Sequence, residues 1–193
     1  MSEHPAVSQG EVSSSHEFQT SLFEWLQAMV YALLILILAF TLFVRIINVD
    51  GSSMYPTLEN GDKLILRCID YTPKQGDIVV LTKAFASIDT PIVKRIIAVG
   101  GQRVDVNYDE GKVYVDGKAL NEPYINEVMR DPQNSYMTNN DVVVPEGSVF
   151  VMGDNRNHSS DSRDVRLGVV DNRYIIGQAI FTLLPFPHFG SVS

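Results

Sequence analysis

The chain has 193 residues, a formal net charge of −8 and an isoelectric point near 4.9, a balance that argues against a nucleic-acid partner, and its sequence shows no cluster of the Lys and Arg on which such binding depends. Cys68 is its single cysteine, so no intramolecular disulfide can form, and within 63–69 it reads as a small buried hydrophobe. What the length permits is one compact domain beside one long apolar segment.

Residues 1–21 carry Ser13-Ser14-Ser15, several acids and few large apolar groups, and are predicted to form a flexible tail. The run 25–44 holds no charge and a single amide, Gln27, and at about 1.5 Å per residue it reaches roughly 30 Å, the thickness of a bilayer's hydrocarbon. A cleaved secretory signal has a basic start, a shorter core and a small-residue exit. Here the start is acidic and the exit is Phe43-Val44-Arg45-Ile46-Ile47, so 22–47 reads as a permanent transmembrane anchor. The competing reading, a core helix, would show an amphipathic break that this run lacks.

From 48 to 193 the punctuation is that of a β domain. Strands are predicted over 63–69, 77–82, 92–99, 103–106, 112–115, 141–144, 149–152 and 175–183. Asp116-Gly117, between Val113-Tyr114-Val115 and Ala119-Leu120, is a two-residue hairpin signal. An irregular excursion lies around 107–140, most clearly in the Asn-, Asp- and Pro-rich 121–140. The fold expected is mainly β: a single N-terminal transmembrane helix followed by a mostly antiparallel, partly closed β domain.

The chemistry turns on Ser53 and Lys94. A serine hydroxyl is a poor nucleophile until a base takes its proton, and a lysine serves only when neutral, about three pKa units below its ordinary state. Strand alternation puts Lys94 on one face with Ile92 and Ile96, and an ammonium between isoleucines loses hydration, which favours the neutral amine. The histidines fit a Ser-His-Asp arrangement poorly: His4 and His16 precede the anchor, His188 is near the C-terminus, and only His158 sits in a motif-like stretch. No Cys, His or carboxylate set has metal-ligand spacing, so neither metal nor cofactor is expected, and Gly100-Gly101 reads as a turn.

Four stretches, in order behind the anchor, resemble the boxes of bacterial type I signal peptidases. They are Gly51-Ser52-Ser53-Met54-Tyr55-Pro56-Thr57-Leu58, Gly76-Asp77-Ile78-Val79-Val80, Val93-Lys94-Arg95-Ile96-Ile97, and Gly153-Asp154-Asn155-Arg156-Asn157-His158-Ser159-Ser160-Asp161-Ser162-Arg163. The resemblance implies a Ser/Lys endopeptidase that removes signal peptides from secretory preproteins after an Ala-X-Ala end. It implies Ser53 as nucleophile, Lys94 as general base, Ser159 as the hydroxyl orienting the amine, and Asp161 with Arg163 as a bracing ion pair. The implied oxyanion donors are the Ser53 N–H and the position of Gly51, where some relatives carry a serine hydroxyl; with glycine there, backbone or water must stand in. Ile47, Val49, Met54, Leu58 and Val93 match the lining of pockets for small side chains, with core packing the competing role for Leu58. Two departures lie beside the site: Ala98-Val99-Gly100-Gly101-Gln102 replaces a Gly-Leu-Pro-Gly-Asp-like turn, and Asn157-His158 replaces a common Asp-Asn pair.

The resemblance also implies a lipid bilayer as partner, functional association with the export translocon, and a catalytic domain on the extracytoplasmic side of the cell membrane. Charge points weakly the other way, because residues 1–44 contain no Lys or Arg while Arg45 follows the anchor. The stretch Leu183-Leu184-Pro185-Phe186-Pro187-His188-Phe189 is a candidate for resting on the bilayer surface or for packing on the domain. Of another class is a membrane-tethered, non-catalytic binding protein for extended peptides, which would tolerate loss of Ser53 or Lys94.

Overall fold

The computed structural model describes residues 9–83 and 90–192, and within them the side chains of 21–38 and of 45 onward. Helix α1 spans Gln9–Phe43, and its Ser21–Leu38 window is long and apolar enough to cross a membrane. None of that window is buried against protein, the opposite of what a core helix requires. The helix begins inside the stretch read as a tail, because extending a helix costs little once an adjacent segment has nucleated it. Residues 1–8 lie outside the described residues. It also ends before the expected anchor does: Val44, Arg45, Ile46 and Ile47 leave it to form a strand, as β-branched residues favour.

That strand is β1 (Val44–Asn48), and β2 (Lys63–Arg67), β3 (Ile78–Leu81), β4 (Ile92–Val99), β5 (Arg103–Asn107) and β6 (Lys112–Val115) follow. The chain continues through β7 (Lys118–Ala119), β8 (Asp141–Val143), β9 (Ser148–Met152), β10 (Val170–Asp171), β11 (Ile175–Leu184) and β12 (Gly190–Ser191). Every pairing is antiparallel. One sheet runs β1-β2-β11-β3-β4-β9-β10 with β12 on β11, and a smaller one runs β7-β6-β5-β8. The architecture is therefore mainly β and antiparallel, as the turn signals predict. Asp116 and Gly117 both take positive φ, 51° and 76°, so β6 and β7 are joined by the primed turn that matches strand twist.

Strand β3 is buried at all four residues and splits its side chains between two cores. Ile78 and Val80 join Met54, Leu58, Leu64, Leu66 and Val93 beneath the loop after β1. Val79 and Leu81 join Ile96, Val149, Val151 and Val170 on the other side. A third core, with Val104, Val106, Val113, Phe150 and Met152, lies between the two sheets. The excursion between β7 and β8 contains no strand, yet it is tied to the segment after β9. Asn139 Nδ2 donates to Ser162 O at 2.8 Å, the Asn139 N–H to Arg163 O at 3.0 Å, and Asn157 Nδ2 to Val128 O at 3.1 Å.

Candidate active site

The loop joining β1 to β2 carries Ser53, and β4 carries Lys94. Cross-strand register places Lys94 opposite Val79, while alternation gives it Ile92 and Ile96 as neighbours on its own face. Lys94 Nζ donates to Ser53 Oγ at 2.7 Å and to the Val93 carbonyl at 3.0 Å. The lysine is only 3% exposed. Burial lowers its pKa to about 8; the Asp161 and Asp154 charges oppose that fall and Arg163 assists it. No carboxylate forms an ion pair with the amine among the described residues, so burial prevails.

The serine loop is fastened from the segment after β9. The Asn155 N–H donates to Ser53 O at 3.0 Å, and Asn155 Nδ2 donates to Ser52 O at 3.0 Å. Gly153 lies where its peptide must pass between two groups: a Cβ there would strike the Ser53 carbonyl and the Ser159 hydroxyl. Its N–H donates to Asp161 Oδ2 at 3.0 Å. Asp161 is fully buried and accepts from Arg163 Nε and Nη2 at 2.8 and 2.9 Å. Burial alone would push the Asp161 carboxyl up, but the Arg163 charge and hydrogen bonds outweigh it and hold it below the usual carboxylate range. The Ser159 hydroxyl is buried and near enough to favour that carboxylate, yet it makes no hydrogen bond of ordinary geometry. Its expected contact with the lysine amine is not among the bonds formed here.

A cavity of about 360 Å³ opens over the pair, walled by Val49, Met54, Val93 and, at its rim, His158 and Ser160. Two residues expected in that wall are elsewhere. Leu58 is 1% exposed and faces the core, because its N–H bonds back to Met54 O and the turn points it inward. Ile47 is half-buried and packs against the same core from β1. Gly51 is no oxyanion donor in this arrangement, since its N–H is already spent on Asn60 Oδ1 at 2.8 Å. A larger hollow of about 470 Å³ lies between Asn60-Gly61 and 184–187, but it offers no nucleophile or base, so the chemistry belongs to the smaller cavity.

Sequence reasoning gave no role to Arg95 and Asp154. Arg95 Nε and Nη2 donate to Asp154 Oδ1 and Oδ2 at 2.9 and 2.8 Å, Nη1 donates to Gly76 O at 2.9 Å, and Thr57 Oγ1 donates to the same carboxylate at 2.5 Å. This pair joins all four boxes, the first of which lies on the loop that carries Ser53. The signal was the boxes themselves, whose unused polar residues turn out to bind one another.

A buried lysine bonded to a serine, in an antiparallel β domain, is the arrangement expected of a serine hydrolase. The family model described as signal peptidase, peptidase S26, matches residues 22–184, and the chain belongs to that family. It is accordingly a serine endopeptidase of the signal peptidase class. It is 35% identical over 175 residues to signal peptidase I of Bacillus licheniformis, covering 87% of this chain and 91% of that protein. It is 32% identical over 183 residues to signal peptidase IB of Staphylococcus aureus (87% and 92% covered), and 39% identical over 153 residues to the probable signal peptidase I-1 of Synechocystis (75% and 73%). The reading as a non-catalytic binding protein finds no support in these relatives.

Proposed function

We propose that Ser53 is the nucleophile and Lys94 the general base of a peptidase that cleaves signal peptides from preproteins at an Ala-X-Ala end. The observation that carries this is the 2.7 Å bond between Lys94 Nζ and Ser53 Oγ at a lysine whose pKa is brought to about 8. With the amine neutral, its lone pair takes the hydroxyl proton as Oγ attacks the scissile carbonyl. The ammonium then gives that proton to the leaving amine, and the remaining acyl-enzyme is hydrolysed by water, with Lys94 again the base. The Val93 carbonyl, bonded to the amine at 3.0 Å, fixes its direction. Asp161 and Arg163 hold Gly153, and with it the serine loop. Ser159 lies beside that peptide. Val49, Met54 and Val93 give the cavity one apolar wall, against which a small apolar side chain before the cut would pack.

In this reading α1 crosses the cytoplasmic membrane, the domain faces the extracytoplasmic side where translocated preproteins emerge near the export translocon, and bilayer and substrate meet at one surface. Phe186, at 80% exposure, is a candidate lipid contact. The test is cleavage of a model preprotein by the full chain in detergent. Ser53→Ala and Lys94→Ala are each expected to lose about 10⁴-fold or more in rate while remaining folded. Cleavage persisting in either would move the active site elsewhere.

A further inference from the structure

An irregular segment, residues 121–126, leaves the small sheet after β7 and delivers three contacts to the back of the active site. The Glu122 carboxylate accepts from Arg156 Nη1 at 3.1 Å and Nη2 at 2.5 Å, and both side chains are almost wholly buried, at 6% and 1% exposure. The Tyr124 ring lies 4.0 Å from the Arg95 guanidinium carbon, and its hydroxyl donates to Glu122 at 3.2 Å. The Asn126 N–H donates to Asp154 O at 3.3 Å.

All three contacts fall on residues next to the chemistry: Arg95 follows Lys94, and Asp154 and Arg156 flank the segment that fastens Ser53. Arg156 passes the hold onward, donating from Nε to Gly153 O at 3.1 Å and accepting at its own carbonyl from Arg163 Nη2 at 2.7 Å. Gly153 is thus gripped on both sides, its carbonyl by Arg156 and its N–H by Asp161. Each gripping residue is backed by a buried counter-charge, Glu122 for Arg156 and Arg163 for Asp161. A buried ion pair is a poor way to add stability, because desolvation consumes most of the attraction, but it fixes geometry well.

We propose that Glu122 and Tyr124 are positioning residues for the Ser53/Lys94 pair, and that the small sheet serves the reaction by presenting them as a latch on the Gly153–Arg156 corner and on Arg95. The inference rests on the Ser53/Lys94 reading. Neither residue touches substrate: the latch acts through Arg156 and Gly153 on the serine loop, and through Arg95 on β4. Displacements well under an ångström at the nucleophile then appear in the chemical step and leave substrate binding alone.

The test compares Glu122→Gln, Tyr124→Leu and Tyr124→Phe in the full detergent-purified chain, on a model preprotein, at a temperature where circular dichroism shows each variant folded. Glu122→Gln is expected to lower kcat about 10- to 100-fold with KM within about twofold of wild type. Tyr124→Leu should lower kcat about tenfold in the same pattern, and Tyr124→Phe, which keeps the ring over Arg95, should retain more of it. A merely structural role would lower the melting temperature and leave kcat per folded molecule unmoved; kcat within about twofold of wild type in both Glu122→Gln and Tyr124→Leu overturns the proposal. If Glu122→Gln does not fold, Tyr124→Leu decides alone. Cleavage surviving in Ser53→Ala, run alongside, strikes instead at the Ser53/Lys94 reading.

Discussion

Lys94 and Arg95 are consecutive on β4 and equally buried at 3% exposure, yet the fold treats their charges in opposite ways. Arg95 meets a carboxylate in two-pronged fashion, a backbone carbonyl and an aromatic face. Lys94 meets a hydroxyl and a carbonyl, neither of which carries charge. A guanidinium cannot shed its proton in a protein, so burial without a partner would be ruinous; an amine can, and burial without a partner makes it do so. The difference separates a charge that holds the site from one whose removal makes it work.

The contrast can be broken most severely on the arginine side. Asp154→Asn leaves Arg95 buried without its counter-charge and is expected to cost about 3–5 kcal/mol of unfolding free energy, read from a urea melt of the full chain in detergent. On the lysine side the sign reverses. The Lys94 pKa is lower folded than the ordinary lysine value of 10.5, so it exacts no stability cost above pH 10.5, a growing one as pH falls, and the full one below about 8. Lys94→Met should therefore stabilise the protein by about 3 kcal/mol at pH 7, lose nearly all of that gain by pH 10.5, and be inactive throughout. A gain that does not depend on pH would show that packing, and not charge, separates the variants.

Smaller effects sharpen the picture. Because the base must be neutral, kcat/KM should fall on the acid side with an apparent pKa near 8. Asp161→Asn removes the charge that most strongly raises the Lys94 pKa and leaves Arg163, which lowers it, so the acid limb should move to lower pH even as the maximal rate drops. A limb that stays in place would mean that another group governs it. Least affected should be Arg103→Ala: its pair with Asp141 is 63% and 54% exposed, and no shift in the urea midpoint is expected.

How much of this the sequence announced follows from the range of each interaction. Strand β4 matches its expected bounds, and the Asp116-Gly117 hairpin forms, because both signals are local. Burial of Lys94 followed from Ile92 and Ile96 two residues to either side. Strand β1 was hidden because apolar residues after an apolar helix look like more helix; only pairing with β2 separates them. Arg95 and Asp154 lie 59 positions apart, and Glu122 and Arg156 lie 34 apart, so nothing in either neighbourhood marked them as partners. Analogy of position puts Gly51 among the oxyanion donors and Leu58 in the pocket wall, but the Gly51 N–H has Asn60 as its acceptor and the turn at Leu58 faces the core.

Gly153 carries no side chain, takes no part in proton transfer, and has the Ser53 carbonyl and Ser159 hydroxyl crowding the place where a Cβ would stand. Any nucleotide change at the first or second position of a glycine codon introduces a larger residue or a stop. This active site can therefore be lost by one point mutation at a residue that performs no chemistry, and an inheritance screen for inactive alleles should recover position 153 alongside Ser53 and Lys94.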